Sequence, residues 1–260
     1  MNRLYLTALL VTILLTVGCK NDNEIEEPVL KPIAEHIFGK WQMTGSSVFE
    51  NGKWEEQTND DNVALAMELR SDGTELRVMT FPDGFTALAT RAWSVDETTC
   101  VLSSGQQRIH KLTENELVTE ATQVQDPGTG EITQKLTRWT YRRATEQDKT
   151  MAERLVGKWI CSGTYENVDG EWVTREDDRC DFFWIVLKED GNCDEYFIKD
   201  NQEFEGLTSK WSVNAATCRI RWDGPEDYMI EMPDNDTLVI SFESAEGEII
   251  LKNVYYRENK

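Results

Sequence analysis

Residues 34–41 read AEHIFGKW, and residues 152–159 read AERLVGKW. These octapeptides are the clearest trace of an internal duplication. Displacing the chain by 118 residues lays 34–100 on 152–218 without a gap, with 18 identities in 67 positions. Asn51-Gly52 falls on Asp169-Gly170, Trp54 on Trp172, and Asp72-Gly73 on Asp190-Gly191. Trp93-Ser94-Val95 meets Trp211-Ser212-Val213, and Thr99-Cys100 meets Thr217-Cys218. Self-similarity at a fixed offset signals a repeated structural unit. Near the ends, Tyr141-Arg142 is matched with Tyr256-Arg257, which sets the copies at 34–143 and 152–258, joined by a linker at 144–151.

Each copy reads as β. Asn51-Gly52 and Asp169-Gly170 are two-residue hairpin signals, because both turn positions need positive φ. Asp72-Gly73 and Asp190-Gly191 are read the same way. Around the first turn, Phe49 faces Trp54, and counting back by twos puts Met43 and Trp41 on the same side. Around the second, Val63, Leu65, Met67 and Leu69 face Leu76 and Val78. Cys218, Ile220 and Trp222 alternate with Arg219 and Arg221, which points Cys218 inward. Such segments give about eight short antiparallel strands per copy, with one helical turn before Trp41 and another before Trp159. Sequential hairpins that must remove their edges point to an up-and-down barrel or a strongly curled sandwich.

Ahead of the repeats, Arg3 precedes an apolar run from Leu4 to Val17 that is too short for a comfortable membrane span. It ends in Thr16-Val17-Gly18-Cys19, which resembles the bacterial lipobox. The resemblance implies a signal peptide over 1–18 and acylation of Cys19, with a palmitate-type chain holding the protein to a membrane. Lys20-Asn21-Asp22-Asn23-Glu24 with Glu26 and Glu27 resembles the acidic export tag of Bacteroidetes lipoproteins. The expected location is the outer membrane, lipid-anchored, on the periplasmic or cell-surface side. Residues 19–33, with Pro28 and Pro32, read as an extended tether reaching roughly 45 Å.

The helical turn followed by Gly-x-Trp on a first strand resembles the lipocalin group, and more closely the lipocalin-like domains of Bacteroidetes lipoproteins. The resemblance implies two consecutive all-β antiparallel barrels. It also implies a fold signature in which a late-strand arginine lies across the tryptophan: Gly39, Trp41 and Arg142 in one copy, Gly157, Trp159 and Arg257 in the other. A guanidinium over an indole contributes about 0.5–2 kcal/mol. Whether a barrel keeps a cavity depends on its fillers, since eight strands leave room for side chains or for one small ligand. Three repeated tryptophans pointing inward would fill it.

Residues shared by the copies serve the fold, so function is sought where they differ. Asp181 to Leu187 is apolar on both faces. With Phe183, Ile185 and Leu187 inward, Phe182, Trp184 and Val186 face out, and cross-strand counting sets Phe197 beside Trp184. Phe182, Trp184 and Phe197 then form an aromatic face for a protein or glycan partner, or for the other copy. Extending the Asp169-Gly170 hairpin sets Cys161 diagonal to Cys180, a candidate disulfide. The repeated Cys100 and Cys218 read as buried thiols.

A formal net charge of −21 argues against nucleic acid, whose phosphates require clustered Lys and Arg. No Cys-x-x-Cys spacing points to zinc, and neither cofactor nor metal is expected. His36 aligns with Arg154, and His110 reads as a strand residue. Without a nucleophile elbow, a His-Glu-x-x-His helix or a phosphate loop, no enzyme is expected. The reading is a lipid-anchored envelope protein with a non-enzymatic binding role through its outer aromatic face. The alternative is a lipocalin-type carrier of a small apolar ligand inside one barrel.

Overall fold

A computed structural model describes residues 28–57, 64–103, 106–122, 124–125, 132–133, 135–175, 182–199, 202–224, 226–245 and 247–258. The expected signal peptide, Cys19 and Cys180 lie outside these residues. Helix α1 (Ile33–Ile37) leads into β1 (Gly39–Glu50), β2 (Lys53–Glu56), β3 (Ala64–Leu69), β4 (Thr74–Thr80), β5 (Phe85–Ala92) and β6 (Val95–Asp96). Next come β7 (Val101–Leu102), β8 (Gln107–Leu112), β9 (Glu116–Ala121), β10 (Val124–Gln125), β11 (Ile132–Thr133) and β12 (Thr137–Arg143). After a short 3-10 turn at Glu146–Asp148, α2 (Met151–Leu155) opens the second repeat with β13 (Gly157–Val168), β14 (Glu171–Thr174), β15 (Phe182–Leu187) and β16 (Asn192–Lys199). It continues with β17 (Gln202–Asn214), β18 (Arg219–Trp222), β19 (Asp227–Glu231), β20 (Thr237–Glu243) and β21 (Ile249–Arg257).

The second repeat closes on itself. Antiparallel ladders run β13–β15–β16–β17–β18–β19–β20–β21 and return from β21 to β13, an eight-stranded barrel with no free edge between them. In the first repeat the ladders run β5–β4–β3–β1–β12–β9–β8–β7–β6. Strands β2 and β14 are flaps hairpinned onto the far ends of β1 and β13.

Two turns decide which side chains enter the interior. Asn51-Gly52 and Asp169-Gly170 are two-residue turns with positive φ at both positions, and Phe49 lies opposite Trp54. Asp72-Gly73 and Asp190-Gly191 are different. Leu69 pairs with Glu75 and Leu187 with Cys193, so these turns are one residue longer than read from the sequence. In each, only the glycine takes positive φ, and the aspartate side chain accepts the backbone N–H two residues on. A one-residue slip exchanges the faces of the returning strand. Leu76 and Val78 therefore turn away from Leu65, Met67 and Leu69, whose partners are Met79, Arg77 and Glu75.

The displaced apolar face is covered by the second repeat. Ala66, Leu76, Val78 and Leu88 join the hydrophobic cluster that contains Leu155, Trp159 and Trp211. The first repeat keeps a separate core around Ile33, Ile37, Trp41, Trp93 and Tyr141. Val213 and Asn214 of β17 pair with Thr86 and Phe85 of β5, which stitches the two sheets together. A Cβ on Gly191 would stand 2.4 Å from the Leu88 carbonyl, so only glycine permits this approach. Lys40–Glu153 at 2.8 Å and Arg70–Glu189 at 2.7 Å bridge the seam.

Both expected joints are more ordered than a tether or a linker. Val29 pairs with Leu112, and Glu97 accepts the free N–H groups of Ile33 and Ala34 at the start of α1, each at 2.9 Å. Ile33 is itself fully buried, so residues 28–33 belong to the folded body rather than to a tether. Within 144–151, Thr145 and Thr150 both form capping boxes.

One end of each repeat is stoppered in the same way. Trp41 and Trp159 are fully buried, and their indole N–H groups donate to Ile37 O at 2.8 Å and Leu155 O at 2.7 Å. Burying roughly 150–250 Å² per indole stabilises the fold by about 4–6 kcal/mol. Arg257 lies 4.2 Å over Trp159, and Arg143 lies 3.9 Å over Trp41. The resemblance assigns the latter position to Arg142, but that residue neighbours Arg143 on a strand and so points to the opposite face, where it pairs with Asp148. The ladder places Trp41 across from Arg143 and Trp159 across from Arg257. Tyr141 therefore corresponds to Tyr255, not Tyr256. Each guanidinium also donates to carbonyls of the helix end: His36 and Phe38 for Arg143, Arg154 and Val156 for Arg257. Gly39 and Gly157 have φ of 106° and 143°, and a Cβ there would meet the guanidinium at 3.0 Å and 2.9 Å.

Replacing Arg143 by Met is expected to lower the unfolding free energy by about 2–4 kcal/mol, through the lost indole contact and carbonyl bonds. Arg142→Met, which removes only a surface ion pair, is expected to cost much less. Urea denaturation followed by tryptophan fluorescence measures both, and equal losses would contradict the assignment.

Candidate functional site

The third repeated tryptophan does not enter either interior. Trp54 and Trp172 sit on the flaps β2 and β14, beneath Arg138 at 4.2 Å and Lys252 at 4.1 Å. Trp93 and Trp211 are buried with Trp41 and Trp159, and their indole N–H groups donate to Arg70 O and Lys188 O. Two indoles per repeat leave space above them. In the barrel of the second repeat that space is a cavity of about 510 Å³, open to solvent.

Six of the ring's eight strands, all but β13 and β17, supply the described residues that line it. They contribute Phe183 and Ile185 from β15, Glu195 and Phe197 from β16, and Trp222 from β18. Tyr228 comes from β19, Ile240 and Phe242 from β20, and Asn253 and Tyr255 from β21. The two-residue spacing within β15, β16, β20 and β21 is that of one strand face, the inner one. The rings brace one another: Trp222–Tyr228 at 5.3 Å, Tyr228–Phe242 at 5.0 Å, and Phe183–Tyr255 edge-on at 5.7 Å. Asn253 donates to the Tyr255 hydroxyl and accepts from Thr164, which fixes the polar corner of an otherwise apolar wall.

Glu195 is the only charged side chain among the described residues of this lining. It pairs with Ile185 across the ladder and has no hydrogen-bond or ionic partner among the described residues. Water reaches it, yet the surrounding walls strip enough solvent to raise its proton affinity above the usual carboxylate range. Its charge in turn helps raise the pKa of Tyr228 and Tyr255, although burial is the main cause for both phenols.

The equivalent face of the first repeat is filled instead. By the 118-residue offset, Cys193, Glu195 and Ser209 replace Glu75, Arg77 and Arg91. Glu75 is fully buried and accepts from Arg77 at 2.5 Å and Arg91 at 2.8 Å. Three long side chains holding one another occupy the volume that cysteine and serine release in the second barrel. A second hollow of about 440 Å³ runs along the seam between the repeats, but its Asp83 and Arg221 pair across it at 3.4 Å. That hollow is part of the junction.

The sequence-derived site residues are not brought together. Trp184 does face away from the barrel interior, but it is only 8% exposed, stacked on Tyr196 at 5.3 Å and overlain by Lys158. Phe197 pairs with Phe183 and faces the cavity, because of the one-residue slip at Asp190-Gly191. The Phe182 side chain lies outside the described residues. No common outer platform of the three exists. The described Asp169-Gly170 hairpin pairing ends at Tyr165–Thr174, and by Ile160 the partner of β13 is β15; Cys180 lies outside the described residues. Cys161 is buried across from Tyr255. The expectation of buried Cys100 and Cys218 fails, because both occupy left-handed turn positions, Cys100 half-buried and Cys218 exposed. His110 pairs with Glu120 on β9. No group of three His, Cys, Asp or Glu side chains among the described residues is placed to hold a metal.

No protein-family model matches the chain, and no match is found among curated proteins. A solved structure of a DUF3598-family protein of unknown function from Nostoc punctiforme aligns with 85% of this chain and 96% of its own. Its sequence identity is 13% and its TM-score 0.27.

Because folding raises the Glu195 pKa, the folded state holds that proton more tightly than the unfolded chain does. The stability this confers is complete below the ordinary carboxylate range and is lost as pH rises through the raised value. Glu195→Gln is therefore expected to melt above the wild type at pH 7, with the gap vanishing near about pH 4. Scanning calorimetry across that range tests it, and a variant no more stable at pH 7 would contradict it.

Proposed function

We propose that this is a non-enzymatic ligand-binding protein whose second barrel holds one small, largely apolar molecule. The observation that carries the reading is the cavity of about 510 Å³ walled by Phe183, Trp222, Tyr228, Phe242 and Tyr255. Concave, mostly apolar sites of this size with a few polar groups are typical ligand pockets. The coverage of Trp184 removes the main support for docking through an outer aromatic face. The first repeat, on this proposal, is a second barrel closed by the chain itself, with β5 running into β6 through Trp93 and Ser94. Its ion triad makes it a filled partner that supports the hollow one. The Cys19 lipobox supports anchoring by acyl chains at the outer membrane, periplasmic or cell-surface, which would hold the cavity close to the bilayer.

N-phenyl-1-naphthylamine, a neutral dye that brightens in apolar surroundings, is the probe. The full mature chain is expected to bind it in a one-to-one ratio. Ile240→Trp, which fills the cavity, should reduce the affinity at least tenfold, while Trp184→Ala on the outer face should change it less than twofold. Undiminished binding by the filled variant would overturn the proposal.

A further inference from the structure

The cavity's chemistry narrows the ligand class, a narrowing that rests on the second barrel being the binding site. A carboxylate facing an apolar space is unfavourable unless something compensates it. In the first repeat, Arg77 and Arg91 compensate Glu75 from within the protein. At the equivalent positions of the second barrel, no such partner remains: Glu195 stands where Arg77 would be, and Ser209 stands where Arg91 would be. Among the described residues no Lys, Arg or His lines the space, so the compensation is left to water or to a ligand that enters it.

The walls have the matching property. Trp222, Tyr228, Phe242, Phe183 and Tyr255 surround the cavity as mutually tilted rings. Ring faces carry negative electrostatic potential and attract a desolvated cation, most strongly at tryptophan. A carboxylate and any aromatic face turned to the ligand thus favour the same charge sign, and both disfavour an anion. A neutral apolar ligand would gain from the rings but leave Glu195 unpaired.

We infer that the second barrel binds an organic cation, an ammonium carried on an apolar body, with Glu195 as its counter-ion and the aromatic ring as its cage. The raised proton affinity of Glu195 agrees with a carboxylate that the barrel's own side chains do not neutralise. Glu195 is a binding residue here, and Trp222 and Tyr228, which line the same cavity, are cage residues.

Displacement of N-phenyl-1-naphthylamine by octyltrimethylammonium, octanol and octyl sulfate, all below micelle formation, tests the inference. These share one alkyl chain and differ in head charge. In the wild type the ammonium should compete at least tenfold better than the alcohol, and the sulfate worse than both. In Glu195→Gln the ammonium should lose that tenfold advantage, while an unchanged octanol affinity reports that the cavity is still folded. Glu195→Lys should reverse the order in favour of octyl sulfate. Ammonium binding no tighter than octanol in the wild type, or unaffected by Glu195→Gln, overturns the cation assignment and leaves the cavity reading standing. Failure of the dye to bind the wild type overturns both.

Discussion

The structure depends on an arginine from the last strand of each repeat lying over the buried tryptophan of its first strand. That contact ties together the two ends of a repeat, about a hundred residues apart in sequence. It also satisfies backbone carbonyls at a helix end that would otherwise face a buried indole unpaired. Burial lowers the proton affinity of both guanidiniums, but arginine remains charged in any such setting. The requirement reaches back to the glycine two residues before the tryptophan, because a side chain there would displace the guanidinium. Gly, Trp and Arg form one mechanical unit, found twice.

On that shared frame the two interiors have diverged by charge and volume. The first repeat closes its interior with one glutamate held by two arginines, and with Thr119 bonded to Gln107. The second substitutes small uncharged groups for two members of the triad and an acid for the third. Exchange at these three positions accompanies the change from a packed interior to a lined one, together with a bulge at Asp194/Tyr196 that the β4–β5 ladder lacks. The second repeat spends its outer apolar residues on its own surface, where Trp184 and Tyr196 cover each other. The apolar face that needs covering belongs to the first repeat, at Leu76, Val78 and Leu88, and the second repeat covers it.

The duplication, the all-β class, the short helices and the Gly-x-Trp strands are legible because each rests on local pattern. Faces are harder. The two-residue period puts Phe49 on the side of Trp41, but a bulge at Gly45 breaks that period, and Phe49 is exposed. An aspartate-glycine pair fits both a two-residue turn and a longer one ending in left-handed glycine, and the sequence does not choose between them. That ambiguity puts Phe197 outside and hides Glu195, since its alternation partners Cys193 and Phe197 then fall on the wrong face. Aligned identity favours Arg142 over Arg143, although strand register selects the neighbour. The cavity rings Tyr228, Phe242 and Tyr255 come from the half of the repeat where loop lengths differ between copies. Only pairing around a closed ring brings them to Phe183.

Hydrogen exchange of the individual indole N–H groups, followed by NMR on the full chain, probes the paired stoppers most directly. Trp41 and Trp159 donate inward to Ile37 and Leu155 beneath their arginines, so their exchange should require global unfolding. Trp172, on its exposed flap, should exchange orders of magnitude faster. Exchange of Trp41 or Trp159 at the rate of Trp172 would contradict a fold closed by arginine over tryptophan.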